Sequence, residues 1–533
     1  MGGVVHSRVD PFATALLLDG SNIAWVGDDA GANVHRDVVD AVVDLKGAFV
    51  APGFVDSHIH ATSTGLRLTG LDLTDVRSGP ELLDSIARHA TATRGAPIYG
   101  HGWDDTGWAP GELPSRQDID RASFGSEVYL SRIDVHSALV STALVARDRA
   151  SEGLSGFSSN GPVSQEAHSA LRKLAFASMP SGIRKAAQRA ALEHARANGI
   201  VAVHEMSGPS IGGEADARDL VTVAQDSSLP RVTLMWGERA SAQAFARLRD
   251  LGAYGLAGDL FVDGSLGSRT AALREPYSDD PSNYGTTYLS EADIVDHLRE
   301  STLAGVPAGF HVIGDAACAQ VAEAVRVVAK EVGPAAVRAL GHRIEHAEML
   351  SASDISDLAN LGVTFSMQPL FDALWGHGGG MYEQRLGPDR AAAMNPFADI
   401  VTAGGHLVIN SDSPVTPMHP WSFIRAATEH SNPSQRISAR AAFTAATRGG
   451  WRAIRNHEAG DIAPGAPAHL AVWAVEDLEV RVPDHRIREW STDPRAATPG
   501  LPRLDGPDPQ CVATIINGAC CYGEEFWKAH RVA

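Results

Sequence analysis

Cysteine is scarce in this chain. Four thiols in 533 residues, Cys318, Cys511, Cys520 and Cys521, are too few for a disulfide scaffold, and no Cys-x-x-Cys pair offers a zinc site. Basic residues are also short: 45 Lys and Arg face 64 Asp and Glu, for a formal net charge of −19. That balance speaks against nucleic acid or an anionic membrane surface as the main partner. No apolar run reaches the ~18 residues of a spanning helix, so no membrane partner is expected. The opening residues, MGGVVHSRVD, lack a basic segment followed by an apolar one. No secretory leader is read there, and a cytoplasmic protein is expected. Tandem repeats are absent. So is the glycine-rich phosphate turn that a doubly wound dinucleotide fold needs after an early strand. What is present is a chain 44% hydrophobic, enough to fill large cores. Its length fits one large barrel plus an accessory domain.

Both ends read as strands and turns. Ala15–Leu18 and Ile23–Gly27 flank the turn-forming Asp19-Gly20-Ser21-Asn22, a hairpin pattern. Leu470–Trp473 and Ala513–Gly518 have the same texture. Residues 1–50 and 456–533 are therefore expected to build one small β domain together. The middle alternates strands with helices. A helix over 183–198 stops at Gly199 and is followed by a strand at 201–204. A capped start at Ser290 opens a helix that ends near Gly305, before a strand at 308–313. A helix over 319–332, a strand at 343–346, a helix over 352–360 and strands at 363–367 and 406–410 follow. This repetition implies a parallel sheet with helices outside. About eight strands between 49 and 411 predict a (β/α)8 barrel over 51–455. Residues 62–190 are too long for one connection and are expected to form an inserted subdomain after the first strand. Residues 374–398, with Gly376-His377-Gly378-Gly379-Gly380, read as a flexible loop, either a lid or plain surface.

Chemistry concentrates at strand ends. His58-Ile59-His60 closes the apolar segment Ala48–Asp56, and residues two apart on a strand share a face. Two imidazoles can thus meet at the end of the barrel where such enzymes keep their sites. His311, in Phe310-His311-Val312, and His346, in Arg343-Ile344-Glu345-His346, sit on separate strand-like runs. Asp412 follows the last strand, in Ser411-Asp412-Ser413-Pro414. A lone histidine is more often a buried, hydrogen-bonded core residue. Four histidines and an aspartate spread over several strand ends form a candidate metal site, because neutral imidazole and carboxylate are common ligands of zinc-like ions.

At these five positions the chain resembles the amidohydrolase superfamily, and within it the N-substituted formamide deformylase-like (YtcJ-like, amidohydrolase family 3) branch. The resemblance runs nearly end to end. It is carried by Ala51-Pro52-Gly53-Phe54-Val55-Asp56-Ser57-His58-Ile59-His60, Gly102-Trp103-Asp104, Ile133-Asp134-Val135-His136, Asp263–Ala271, His311-Val312-Ile313-Gly314-Asp315, Arg343–His346 and Ser411–Pro414. It implies a (β/α)8 barrel with a composite β-sandwich domain, and hydrolysis by metal-activated water. The metal ligands it implies are His58, His60, His311, His346 and Asp412, with Asp412 also moving the proton and His346, or the metal, polarising the carbonyl. One departure stands out. Many relatives carry a carboxylated lysine bridging two metals before the Asp-Gly-Ser stretch. This chain has no lysine between Lys185 and Lys330, and Asp259 occupies the place. Either a carboxylate bridges two ions (Asp259, less readily Glu205), or one ion suffices, and one tightly held divalent ion, zinc first, is the expectation.

Substrate contacts are expected from Trp103, Asp134, His136, Arg269, Thr270 and Gln368, with Asp104 and Trp108 beside Trp103 in a wall. His204 and Glu205 are candidates for support behind the ligands. His101, His377 and His419 read as structural or exposed. The expected activity is hydrolysis of a carbon–nitrogen bond, amide or N-formyl, in a small molecule. The alternatives are deamination or cyclic-amide opening on the same site, and a non-catalytic barrel that binds small molecules. A homo-oligomer, in the simplest case a dimer, is expected.

Overall fold

The computed structural model describes residues 1–479 and 500–532. Strands buried along their whole length build the middle of the chain, as a parallel sheet covered by helices requires. Phe54–Ile59 pairs with Ile200–Ser207, which pairs with Arg231–Trp236, all parallel. Residues 255–261 take the fourth position through single parallel bridges, Met235 to Gly255 on one side and Phe261 to His311 on the other. Gly309–Val312, Arg343–His346, Thr364–Met367 and His406–Ile409 follow in order. A parallel bridge from Ile59 to Ser413 returns to the first strand and closes the ring. This is a TIM-barrel-type fold.

The helices end where their sequences say. Ser181–Ala197 is stopped by Gly199 at φ +71°, and Asp315–Val332 by Gly333. Ser290 and Asp293 form a capping box for Glu291–Leu303. Between helices and barrel lies the main core, with Phe310, Ile344, Phe365 and Val321 among its buried members.

Two smaller layers flank the barrel. Val4–Val5, Phe49–Pro52, Leu470–Ala474, Gln510–Ile516 and Ala519–Tyr522 form one sheet from both ends of the chain. The hairpin Ala15–Asp19/Asn22–Gly27 shares a core with it, including Ile23, Val50, Val472 and Ile515. Within 62–190 a second five-stranded sheet joins Leu71–Asp72, Ile98–Trp103, Val128–Arg132, Ser137–Val140 and Val163–Ser164.

The apolar segment Ala48–Asp56 breaks at Gly53, where a Cβ would meet the Val201 side chain at 2.3 Å, and its halves belong to different sheets. One expectation needs correction. Residues 374–398 are not a flexible loop. They hold the helices Met381–Leu386 and Pro388–Ala392, and Met381, Tyr382, Leu386 and Met394 are buried against Leu266 and Phe371. The glycines there start and stop short helices. Among the described residues no helix is long and apolar enough to cross a membrane.

Candidate metal centre

Six side chains from five barrel positions meet at the C-terminal rim. His58 lies within the first strand and His60 just beyond it, two residues apart and facing inward. Asp259 comes from the fourth position, His311 from the fifth strand, His346 ends the sixth, and Asp412 follows the eighth. Asp412 Oδ1 lies 3.3 Å from Nε2 of both His58 and His60. Asp259 reaches His60 Nε2 at 3.1 Å and His58 Nε2 at 3.5 Å, and lies 3.8 Å from His311 Nδ1. Two overlapping groups, His58–His60–Asp412 and His58–Asp259–His346, have ligand atoms close enough to share a metal ion. Left-handed backbone at His346 (φ +71°) and Asp412 (φ +50°) breaks the strand alternation where these side chains leave the sheet.

Three of the four imidazoles are held from behind, while His60 Nδ1 is buried without a hydrogen-bond partner. His58 Nδ1–H donates to Glu345 Oε2 at 2.9 Å, which leaves Nε2 with a lone pair toward the centre. His311 Nε2–H donates to the Gly264 carbonyl at 3.1 Å, turning Nδ1 inward. His346 Nδ1–H donates to Gln368 Oε1 at 3.0 Å, and Gln368 Nε2 donates to Asn410 Oδ1 at 2.9 Å. Asp56 accepts from Ser411 N and Oγ, at 3.0 and 2.6 Å, and so fixes the turn that presents Asp412.

The donor set fits a divalent cation. His58 Nε2, Asp259 Oδ1 and Asp412 Oδ1 are buried without any hydrogen-bond partner, though they face one another. Leaving polar atoms so is costly unless something with charge and vacant coordination sits among them. The electrostatics agree. Burial presses the His60 imidazole down, but Asp259 and Asp412 outweigh it and raise it to about 10. His58 and His311 are raised in the same way, while the imidazoles hold the Asp259 carboxyl well below the usual range against its burial. The carboxylates thus demand positive charge at this point. His346 differs: burial, then the neighbouring His311, lowers it to about 4, so it stays neutral.

A small cavity of about 30 Å³ lies over the centre, bordered by Asp134, His136, His346, Phe371 and Asp412. A larger one, of about 580 Å³, touches the centre through His136 and Asp259. The His136 ring is 4.8 Å from that of His311 and borders both. Asp134 borders the first cavity, yet its carboxylate is engaged by Arg132 and by the hydroxyls of Ser265 and Ser268, so it locks the inserted sheet to the Asp-Gly-Ser stretch.

Four expected substrate contacts are placed otherwise. Trp103 is packed in the inserted subdomain's core, with Trp108 beside it, and its indole donates to the Leu130 carbonyl. Asp104 pairs with Arg132. Arg269 is paired with Asp279 on the outside. Thr270 Oγ1 accepts from Ser265 N and closes a loop. Gln368 orients His346. With Nδ1–H given to Gln368, the neutral His346 ring offers a lone pair at Nε2. His204 sits beside Arg343, and Glu205 accepts from Ala61 N at 2.8 Å. His101 is buried and donates to the Pro414 carbonyl, whereas His377 and His419 are exposed. Sequence reasoning missed Glu345, Asp56 and Asp263, the last accepting from Ile313 N, Gly314 N and Ala272 N beside His311.

The barrel and its rim centre define a hydrolase of the metal-dependent barrel class. The Amidohydrolase family pattern matches residues 41–522. A metal-dependent hydrolase from Pyrococcus furiosus shares 26% identity, superposes with a TM-score of 0.69, and is matched over 89% of this chain and 97% of its own. The putative amidohydrolase YtcJ of Bacillus subtilis is 26% identical over 72% of this chain and 74% of its own length. The N-substituted formamide deformylase of Arthrobacter pascens is 22% identical over 86% and 90%. This chain belongs to the amidohydrolase family.

Proposed function

We propose that this hydrolase cleaves a carbon–nitrogen bond, amide or N-formyl, in a small molecule, with one tightly held divalent ion, zinc first. The observation that carries the reading is the convergence of unpartnered His58 Nε2, Asp259 Oδ1 and Asp412 Oδ1 beside a cavity. His58, His60 and Asp412 would hold the ion, with Asp259, His311 and His346 within reach. When bound, such an ion supplies Lewis acidity and a water of lowered pKa. Asp412 accepts the proton of the attacking water and delivers it to the leaving nitrogen. Phe371 and the helix Met381–Leu386 shield the centre from bulk water. A small-molecule substrate also matches the relatives named deformylase and amidohydrolase.

The test is a panel of N-formyl amines, N-acyl amino acids, cyclic imides and amino-heterocycles, scored for carboxylate against ammonia release. Amide or N-formyl hydrolysis is expected, lost on chelation and restored by zinc or manganese. Asp412→Asn should retain metal and lose at least about 100-fold in turnover. Near-normal turnover would remove Asp412 from the role. Ammonia from the heterocycles, or opening of the imides alone, would instead establish a deaminase or cyclic-amide hydrolase. A metal-loaded protein inert to the whole panel would be the binding barrel. Two tightly held ions per purified chain would defeat the single-ion expectation.

A further inference from the structure

The larger cavity runs between the inserted subdomain and the barrel rim, from the helix Gln165–Ala177 to Asp259. Arg172 borders it. This side chain is only 4% exposed. Its guanidinium lies 5.6 Å from the Phe176 ring centroid, and the residue also borders a second, smaller void. Among the described residues no carboxylate lies within ion-pair distance of it, and no hydrogen bond to another residue is formed. Of the other buried arginines, Arg132, Arg184, Arg343 and Arg385 each have a carboxylate partner, and Arg116 donates to the Ser158 carbonyl. Burying a guanidinium without one is costly, and folds seldom retain such a group unless it is used.

The surroundings fit an anion's docking point. Of the two carboxylates bordering the cavity, Asp259 belongs to the metal centre, and Glu166 is exposed and accepts from Ser155 Oγ at 3.0 Å. Neither neutralises Arg172. His168, one helical turn away, is bonded to the Tyr129 hydroxyl at 2.8 Å. Burial, and then Arg172, lower His168 to about 3, so it is neutral and the arginine is the local charge. Ser169 and Ser210 border the same space. One cavity thus joins a free guanidinium, whose planar fork matches a carboxylate, to the rim where the chemistry is placed.

We propose that Arg172 receives a carboxylate carried by the substrate, so that the enzyme acts on N-acyl or N-formyl amino acids in preference to neutral amides. The substrate class rests on the hydrolase reading above; the anion site does not. The test uses the purified, metal-loaded enzyme with Arg172→Met and Arg172→Gln. The probes are N-methanesulfonyl glycine, β-alanine and 4-aminobutyrate, which do not turn over, and the matching primary carboxamides. By calorimetry at least one carboxylate should bind wild type about 10-fold or more tighter than its carboxamide. That gap should vanish in both variants. With the N-acetyl counterparts as substrates, KM should rise and kcat change little. The thermal midpoint of Arg172→Met should hold or rise, because an unpaired buried cation is replaced by an apolar chain of similar length. Equal binding of carboxylate and carboxamide by wild type, a gap that survives in the variants, or a fall in midpoint in both variants would overturn the proposal. A binding gap without hydrolysis of any substrate keeps Arg172 and sinks the hydrolase reading. Equal hydrolysis of both series, unaffected in the variants, does the reverse.

Discussion

Glu345 is wholly buried, its Oε2 accepts the hydrogen bond from His58 Nδ1–H, and the same carboxylate pairs with Arg343. Burial would raise its carboxyl, yet Arg343 and then His58 hold it well below the usual range, so it is ionised where it orients His58. Glu345→Gln keeps an acceptor for His58 but leaves Arg343 without a charge partner. Metal affinity should drop about 10- to 100-fold, the scale for losing such a supporting carboxylate. Competition against a chelator of known affinity reads this directly, and unchanged affinity would show that His58 orients without help. The residue was in plain view beside His346, but its role was not legible. A strand pattern marks which residues are candidates, whereas Glu345 acts on a histidine 287 positions away. The side chains that converge at the rim were readable, because each sits at a strand end with a distinctive donor atom. Asp259 was readable through a missing lysine. Arg269 and Gln368 were misread for the opposite reason: their types suit a substrate, and only the fold shows that Asp279 and His346 already occupy them.

Helices were the most legible elements, since Gly199, Gly305 and Gly333 end them and Ser290 starts one. The fourth barrel position was not legible. Residues 255–261 pair only through single bridges and carry no alternation to read. Close helix packing was also invisible. Ala61–Thr69, which begins directly after His60, crosses Ser181–Ala197 at Gly65, where a Cβ would lie 1.8 Å from the Ala187 carbonyl oxygen. Alanine is the better helix former by about 1 kcal/mol, yet here it must push two backbones apart, an overpacking cost of about 1–3 kcal/mol. Gly65→Ala should therefore lower the thermal midpoint and loosen His60. Gly182→Ala is the matched control, as nothing lies within 4 Å of its Cβ position on the second of those helices. It should leave the midpoint unchanged or raise it. If both variants behaved alike, helix propensity and not packing would govern this contact.

Over the whole molecule, buried neutral imidazoles tie separate layers together. His101 Nε2–H joins the inserted sheet to the Pro414 carbonyl, and His342 Nδ1 accepts from Ala308 N at 2.9 Å. His297 uses both nitrogens: Nδ1 accepts from Ala240 N and Nε2–H donates to the Leu256 carbonyl, each at 3.0 Å. Burial lowers His101 and His342 to about 4 and His297 to about 3. In the unfolded chain each titrates near 6.5. Below that value the unfolded state takes up protons that the fold excludes. The stability these groups provide is present above pH 6.5 and is lost as pH falls toward 4. Several buried carboxyls act in the other direction. Burial raises Asp56 and Asp263 to about 6 and Glu205 and Glu348 to about 7, so the fold gains protons first and their contribution improves as pH falls. The overall pH profile therefore mixes opposing contributions, and a single site is isolated only by difference. For His297 the loss between pH 7 and pH 5 is about 2 kcal/mol, from 1.5 pH units below its unfolded value at about 1.4 kcal/mol each. Glutamine at 297 retains an acceptor and a donor but does not titrate. His297→Gln should be less stable than wild type at pH 7, and should lose about 2 kcal/mol less on going to pH 5. Urea midpoints of the two proteins at both pH values measure this. Equal losses would mean that His297 accepts its proton without leaving the contact between the helix Glu291–Leu303 and the barrel.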